Sequence, residues 1–386
     1  MNIEQKFPSI AAMERGARRR IPHFAAEYMF GGIGTETCLQ RNRDVYNGIQ
    51  LCSQHICDVD NPDFSTHILD RQFSAPFGVA PIGLSGIVWP RAAEHMAAAA
   101  KTHNIPFTLS TFATTDLETA RKAGGDSAWF QLYPTIPAEI ENDIIDRAER
   151  AGYDVLLVTV DIPTITTRER DVTSGLSLPP RFDIGTVRQV LAKPRWAIQT
   201  LIDGIPRFET LRRYVPEGYN IEQEARFLSD IINAHVTREK LLRLRERWKG
   251  KLLIKGVLDV EDARFCNQLG ADGIIVSNHG GRQLDASPHP LQVLPAIREA
   301  VGNKLPLIVD SGIRSGLDIA RAIASGADFT LLGRAFISAV AAAGRPGVEH
   351  AMAILKDELG QTMTQIGSET LKDLSSHLLG RAKKYE

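Results

Sequence analysis

Net charge is almost absent from this chain: 45 Lys and Arg stand against 46 Asp and Glu, leaving −1. Without a basic excess there is no bulk electrostatic attraction to nucleic acid. Cysteine is scarce as well. The four, Cys38, Cys52, Cys57 and Cys266, show no metal-ligand spacing, so no metal site is expected and reduced thiols in a cytosolic setting are. No apolar run reaches the roughly 20 residues of a membrane-crossing helix. The opening Met1-Asn2-Ile3-Glu4-Gln5-Lys6 is too polar to begin a signal peptide.

What remains is a chain of 386 residues, 43% hydrophobic, able to bury a large core. From about Phe7 to Phe30 apolar and charged positions alternate in a helical manner, with Pro22 at a helix start. The segment up to Phe73 lacks a strong period and reads as irregular cover. Beyond Ala75, apolar runs of strand length recur, beginning at Phe77, Pro106, Trp129, Val155, Leu252, Gly273, Leu307 and Phe329. Helical segments separate most of them, among them Arg91 to His103, Ala138 to Ala151, Asp259 to Leu269 and Leu317 to Ser325. Unalternated apolar strands between helices are what a parallel sheet covered by helices requires. About eight such units predict an α/β protein with a (β/α)₈ TIM barrel; an open doubly wound sheet is the alternative. We expect one domain: 1–74 as N-terminal helical cover, 75–345 as barrel with a long insertion at 175–235 after strand four, and 346–386 as a C-terminal helical segment.

Polar residues gather where these runs end: Ser110, then Gln131 and Tyr133, then Thr159 and Asp161, then Lys255, then Ser277 and His279, then Asp310 and Arg314, then Gly333 and Arg334. In a barrel, strand ends share one face, the face on which barrel enzymes carry their active sites. The sixth run leads into Ser277-Asn278-His279-Gly280-Gly281-Arg282-Gln283-Leu284-Asp285. Here a base and a fixed cation follow a strand and a glycine turn, although Gly280-Gly281 alone is equally an ordinary turn. Asp310-Ser311-Gly312-Ile313-Arg314 and Gly333-Arg334 supply backbone amides, arginines and helix starts after runs seven and eight, the parts of a phosphate cradle.

That nonapeptide resembles the signature of the FMN-dependent 2-hydroxy acid dehydrogenase and oxidase family. So do Glu27-Tyr28, Ala80-Pro81, Leu109-Ser110-Thr111, Phe130-Gln131-Leu132-Tyr133, Thr159-Val160-Asp161 and Lys255-Gly256-Val257, in order along the chain. The resemblance implies an FMN enzyme that oxidises an L-2-hydroxy acid to the 2-keto acid. By it, His279 is the base, Asp161 orients and stabilises it, and Arg282 and Arg168 grip the substrate carboxylate. Tyr28 and Tyr133 hydrogen-bond the substrate, with His279, Asp161, Arg282 and Tyr133 as the catalytic set. The flavin falls to Pro81, Ile82, Gly83, Ser110, Gln131, Thr159, Lys255 and Ser277. Asp310 takes the ribityl chain, and Gly312, Arg314, Gly333 and Arg334 the phosphate. Pro81-Ile82-Gly83 stands where glycolate oxidases tend to have Thr-Ala after the proline, Phe112 replaces a tryptophan often found there, and Ser311 replaces a glycine. These choices resemble the membrane-associated L-lactate and mandelate dehydrogenases more than the peroxide-forming oxidases.

The insertion from about 181 to 216 mixes Arg181, Arg188, Lys193, Arg195, Arg207, Arg212 and Arg213 with Val187, Leu191, Trp196, Ile198, Leu201, Ile202 and Phe208, against Asp183, Asp203 and Glu209. Such a segment can lie at a bilayer surface without spanning it; a solvated lid or a subunit contact fits the pattern as well. Members of the family that feed electrons to a respiratory chain carry a similar insert. The resemblance therefore implies a quinone or cytochrome as acceptor, peripheral attachment to the inner face of the cell membrane, and a homotetramer. L-Lactate is the first substrate expected, with (S)-mandelate, or an oxidase using O₂, as alternatives. An FMN isomerase is disfavoured because His279, Arg282 and Arg168 together suit a carboxylate, and a non-catalytic role because His279 and Asp161 are both present.

Overall fold

The computed structural model describes residues 2–164, 166–176, 184–232 and 235–379. A short antiparallel hairpin, β1 (Thr66–Ile68) and β2 (Arg71–Phe73), precedes eight parallel strands. These are β3 (Phe77–Val79), β4 (Phe107–Ser110), β5 (Ala128–Leu132), β6 (Val155–Thr159), β7 (Lys251–Val257), β8 (Gly273–Val276), β9 (Leu307–Val309) and β10 (Phe329–Leu332). Each pairs with the next, and β10 pairs with β3. That last ladder closes the barrel and rules out the open sheet. The expected helices fall at Ala92–Thr102, Ala138–Arg150, Val260–Gln268 and Gly316–Ala324. Asp259 and Ser315 cap the last two by accepting hydrogen bonds from first-turn N–H groups.

Side chains alternate along a strand, and this parity decides what fills the barrel. Trp129, Val155, Leu157, Leu253, Ile275, Ile308, Phe329 and Leu331 form one buried interior cluster. Two residues further along β5 the inward position is Gln131; beyond Leu157 it is Thr159, beyond Leu253 Lys255, beyond Ile275 Ser277, and beyond Ile308 Asp310. The interior is thus apolar at the N-terminal end of the strands and polar at the C-terminal end. At the apolar end Phe73 of the hairpin enters the same cluster, its ring centroid 6.2 Å from both Trp129 and Phe329.

The N-terminal cover contains helices Ile10–Arg20 and His23–Phe30, with Pro22 at the start of the second. The stretch read as irregular up to Phe73 is more ordered than expected, because it holds helix Thr37–Asn47 as well as the hairpin. The long connection from β6 to β7 carries helices Glu169–Thr173, Ile184–Leu191, Pro194–Asp203, Ile221–Ile232 and Arg238–Arg247. Arg181 and Asp183 lie outside the described residues. After the barrel comes helix Arg345–Ile366. Among the described residues no helix is long and apolar enough to cross a membrane.

Candidate active site

Three buried charges meet at the polar end of the barrel. Lys255, 5% exposed in its side chain, lies 3.8 Å from Asp161 and 3.7 Å from Asp310, and its ammonium donates to Ser277 Oγ at 3.1 Å. Asp161 in turn accepts from His279 Nδ1 at 3.0 Å. A carboxylate can only accept, so Nδ1 carries the proton and Nε2 presents its lone pair. Tyr133 OH stands 3.4 Å from that Nε2. Burial works against the Asp161 carboxylate, but Lys255 and His279 outweigh it and hold its pKa below the ordinary value. Burial depresses the His279 pKa, and Asp161 offsets this only in part. The imidazole is therefore neutral at neutral pH, as a base must be. Burial keeps Tyr133 protonated well beyond the ordinary tyrosine range, so it can donate a hydrogen bond.

The backbone is shaped to make this pairing possible. Gly256 has φ +105°, and a Cβ there would come within 2.5 Å of Asp161 Cβ and Cγ. Only a residue without a side chain leaves Asp161 this room. His279 itself has φ +56°, an uncommon conformation for a residue with a side chain. Neighbours hold it there: Asn278 and Asn42 exchange two side-chain hydrogen bonds at 2.6 and 2.9 Å, and Asp285 accepts from the N–H groups of Thr35 and Cys38. The nonapeptide thus divides its labour. Asn278 and Asp285 fasten it to helix Thr37–Asn47 and its approach, while His279 and Arg282 line the cavity at the barrel's end and Ser277 accepts from Lys255.

Arg282 lies across from the histidine. Its Nη1 donates to the carbonyls of Tyr28 and Gly31 at 2.7 and 2.8 Å, and its guanidinium sits 4.9 Å from the Tyr28 ring centroid. Its Nη2 is buried and has no hydrogen-bond partner among the described residues. Arg168 is beside it, donating from Nε to the Arg282 carbonyl at 3.2 Å. Between them lies Asp171, 3.6 Å from Arg168 and 3.7 Å from Arg282, a residue the sequence reading passed over. Burial raises the Asp171 pKa against the pull of both arginines. Its place three residues beyond Arg168, in Arg168-Glu169-Arg170-Asp171, was the available signal. Two guanidinium groups with a spare donor, facing a neutral imidazole and a phenol, can bind a carboxylate and remove a proton from the neighbouring carbon or its hydroxyl.

These groups open onto a cavity of about 770 Å³. Tyr28, Tyr133, Arg168, Lys255, His279 and Arg282 line it, as do Pro81, Ile82, Gly83, Asp310, Gly312, Arg314, Gly333 and Arg334. Ser110, Gln131, Thr159 and Ser277 are buried at the strand ends behind its wall. Gln131 Nε2 donates to Thr159 Oγ1 at 2.9 Å, while its Oε1 has no hydrogen-bond partner among the described residues. The donor set fits a flavin mononucleotide. Gln131 Oε1 is a buried acceptor without a proton, Lys255 is a fixed cation at the polar end of the barrel, and two helices, Gly316–Ala324 and Arg334–Ala343, start beside the cavity. The two cradle arginines already have partners. Arg334 donates to the carbonyls of Met29, Gly31 and Gly280, and Arg314 to Glu14 at 2.5 Å and to the Ile313 carbonyl. To hold a phosphate, each has to share or exchange these bonds.

The comparisons with known proteins point the same way. The sequence model of the FMN-dependent dehydrogenase family matches residues 17–381. The L-lactate dehydrogenase of Xanthobacter autotrophicus is 41% identical over 366 residues, covering 95% of this chain and 94% of that one. That of Haemophilus influenzae is 38% identical over 372 residues, covering 96% and 97%. Among solved structures, the monotopic membrane protein (S)-mandelate dehydrogenase superposes with a TM-score of 0.91 at 34% identity, covering 97% of this chain and 99% of its own. A mandelate oxidase bound to (S)-2-phenylpropionate gives 0.79 at 30% identity, covering 96% and 98%. With family, relatives and fold in agreement, the chain belongs to the FMN-dependent dehydrogenases and is an enzyme that oxidises 2-hydroxy acids.

Proposed function

We propose that the protein oxidises L-lactate to pyruvate and passes the electrons to a membrane quinone. The observation that carries the reading is the His279–Asp161 pair set beside Tyr133, with Arg168 and Arg282 at the same cavity and Arg282 Nη2 making no hydrogen bond among the described residues, only a 3.7 Å ion pair with Asp171. The substrate carboxylate takes Arg282 Nη2 and Arg168. This anchors the 2-carbon between Tyr133 and His279. Tyr133 and Tyr28 hydrogen-bond the substrate oxygens, and His279 Nε2 takes up a proton. Asp161 then faces an imidazolium at hydrogen-bond distance and stabilises it. FMN, when bound, would accept the two electrons together with the second hydrogen lost by the substrate. Lys255 would supply positive charge to favour the reduced ring, and Ser110, Gln131, Thr159 and Ser277 would bind the ring or ribityl groups. Pro81, Ile82 and Gly83 would contact the flavin, Asp310 would hold the ribityl chain, and Gly312, Arg314, Gly333 and Arg334 would hold the phosphate.

The acceptor and the location rest on the insertion. An ordinary surface helix turns polar residues outward. Here Ile184, Val187, Leu191, Ile198, Leu201, Ile202 and Ile205 are all more than half exposed, beside exposed Arg188 and Arg195. Val187, Leu191 and Ile205 also line the cavity, so its mouth shares the apolar surface. Such a face suits the inner leaflet of the cell membrane and a quinone entering from it. The similar mandelate dehydrogenase is described as monotopic, which supports the reading. A homotetramer remains the expected assembly. Incubating the purified holoenzyme with L-lactate and a soluble quinone analogue should yield pyruvate and reduced quinone in equal amounts, with little peroxide in air. Peroxide matching pyruvate one for one would instead make the protein an oxidase.

A further inference from the structure

The insertion has two unlike halves. Residues Leu201 to Ile205 are open, with Leu201 83% exposed. A few residues on, the chain is built into the barrel. Thr210 and Leu211 are fully buried, and Arg147 donates from Nη1 to the Thr210 carbonyl at 2.8 Å while gripping Glu118 through Nε and Nη2, both at 2.9 Å. The N–H groups of Leu211 and Arg212 return to the Phe208 carbonyl at 2.9 and 2.8 Å. Phe208 therefore stands on a fixed turn, at the junction between the open half and the anchored half.

Its ring completes a row of three. Tyr133, at the end of β5, lies 5.2 Å between centroids from Phe112, which follows β4, and Phe112 lies 5.4 Å from Phe208, edge to face. All three line the cavity. Across from Phe112 is Gly83, where an added Cβ would come within 3.3 Å of Phe112 Cβ. The base of the Phe112 side chain thus lies against Gly83, and its ring is held between the catalytic tyrosine and a ring contributed by the insertion. Edge-to-face aromatic pairs are stable, directional contacts, so removing Phe208 frees Phe112 to move back and opens the wall behind it.

The carboxylate clamp and the His279–Tyr133 pair account for three of the four substituents on the reacting carbon: carboxylate, hydroxyl and hydrogen. The fourth is the side chain, and beside Tyr133 the cavity wall it meets is Phe112 backed by Phe208. We propose that Phe208 is a specificity-determining residue, which limits the bulk of the apolar substituent on the 2-hydroxy acid. The insertion then does more than present an outer face: one of its residues belongs to the substrate pocket. This inference rests on the reading of the protein as a 2-hydroxy acid dehydrogenase.

The test compares (S)-mandelate with L-lactate in wild type, Phe208→Ala, Phe208→Leu and Phe208→Tyr holoenzymes. The ratio of the two kcat/KM values is taken within each preparation, so loss of folded or flavin-loaded protein cancels. Dissociation constants of the products phenylglyoxylate and pyruvate, measured from the perturbed flavin absorbance, give a readout independent of turnover. A pocket wall discriminates by about tenfold or more when a ring is removed. Phe208→Ala should therefore raise the mandelate-to-lactate ratio by about tenfold, Phe208→Leu by less, and Phe208→Tyr hardly at all, with the binding ratio moving in parallel. An unmoved ratio in Phe208→Ala, in an enzyme whose wild type is active, overturns the inference alone. A wild type that turns over neither acid overturns the functional reading and this inference with it.

Discussion

Asp161→Asn isolates the contact on which the proton transfer depends. In wild type the carboxylate lies 3.0 Å from His279 Nδ1. It fixes the tautomer and opposes the charge that appears when Nε2 takes up a proton. At an effective dielectric constant of about 20, unit charges some 4 Å apart interact by about 4 kcal/mol. Losing that stabilisation slows the step by about three orders of magnitude. The asparagine amide can also donate to Nδ1, which drives the imidazole proton to Nε2 and blocks the base, so the loss can approach about 10⁴. Lys255 keeps Asp310 at 3.7 Å, so FMN content should survive. The assay is anaerobic stopped-flow reduction of the bound flavin by L-lactate and by lactate deuterated at carbon 2. Flavin reduction within tenfold of wild type, at unchanged FMN content, would refute the assigned role of Asp161.

Other expectations follow from the same geometry. Because burial sets the His279 pKa below its ordinary 6.5 and the base must be neutral, kcat/KM should be flat around neutrality. It should fall on acidification only below that value, and Asp161→Asn, which removes a contribution raising the pKa, should move the acid limb lower still. A kcat/KM profile with its acid limb above 6.5 in wild type would contradict this. Arg282→Lys keeps the charge, but its single nitrogen cannot stand both where Nη1 serves the two carbonyls and where Nη2 meets the carboxylate. With charged hydrogen bonds worth about 1.5–3 kcal/mol each, kcat/KM should drop by about 10- to 100-fold, mostly through KM; an unchanged KM would remove Arg282 from the carboxylate site. Leu201→Glu with Ile202→Glu should release the protein from anionic vesicles while leaving turnover with a soluble acceptor intact, since both residues are exposed. Undiminished vesicle binding would show that this face does not meet lipid. Deletion of the whole segment is a poorer test, because Trp196 and Leu211 are buried against the rest of the protein.

The barrel and its polar end were legible in the sequence because one pattern carried both. Six of the eight apolar runs, all but the first and the last, ended on a polar residue at the right parity, so finding the strands also found Ser110, Gln131, Thr159, Lys255, Ser277 and Asp310. The N-terminal cover was not legible for equally physical reasons. Helix Thr37–Asn47 buries Cys38, Asn42 and Tyr46, a stripe at the proper spacing but with an asparagine and a tyrosine in place of aliphatic residues. Asn42 is inward because it binds Asn278, a long-range contact that no local period reveals. Hairpin β1–β2 turns through Leu69 and Asp70, both at positive φ, without the Asn-Gly or Asp-Gly signal that announces such turns. Asp171 stood in a charge-rich stretch where its spacing from Arg168 was the one signal, and that spacing does not tell a buried carboxylate from a solvated one. Phe208 looked like one more apolar residue of the basic insertion, and only the fold brings it to Phe112.

Anaerobic titration of the bound flavin with paired L- and D-2-hydroxy acids tests the central claim most directly. The account predicts that L-lactate bleaches the flavin while D-lactate does not, because Arg168, Arg282, Tyr133 and His279 fix the handedness at the reacting carbon. It also predicts that His279→Gln keeps its FMN yet stays oxidised with either. A wild-type flavin left oxidised by every L-2-hydroxy acid would contradict it.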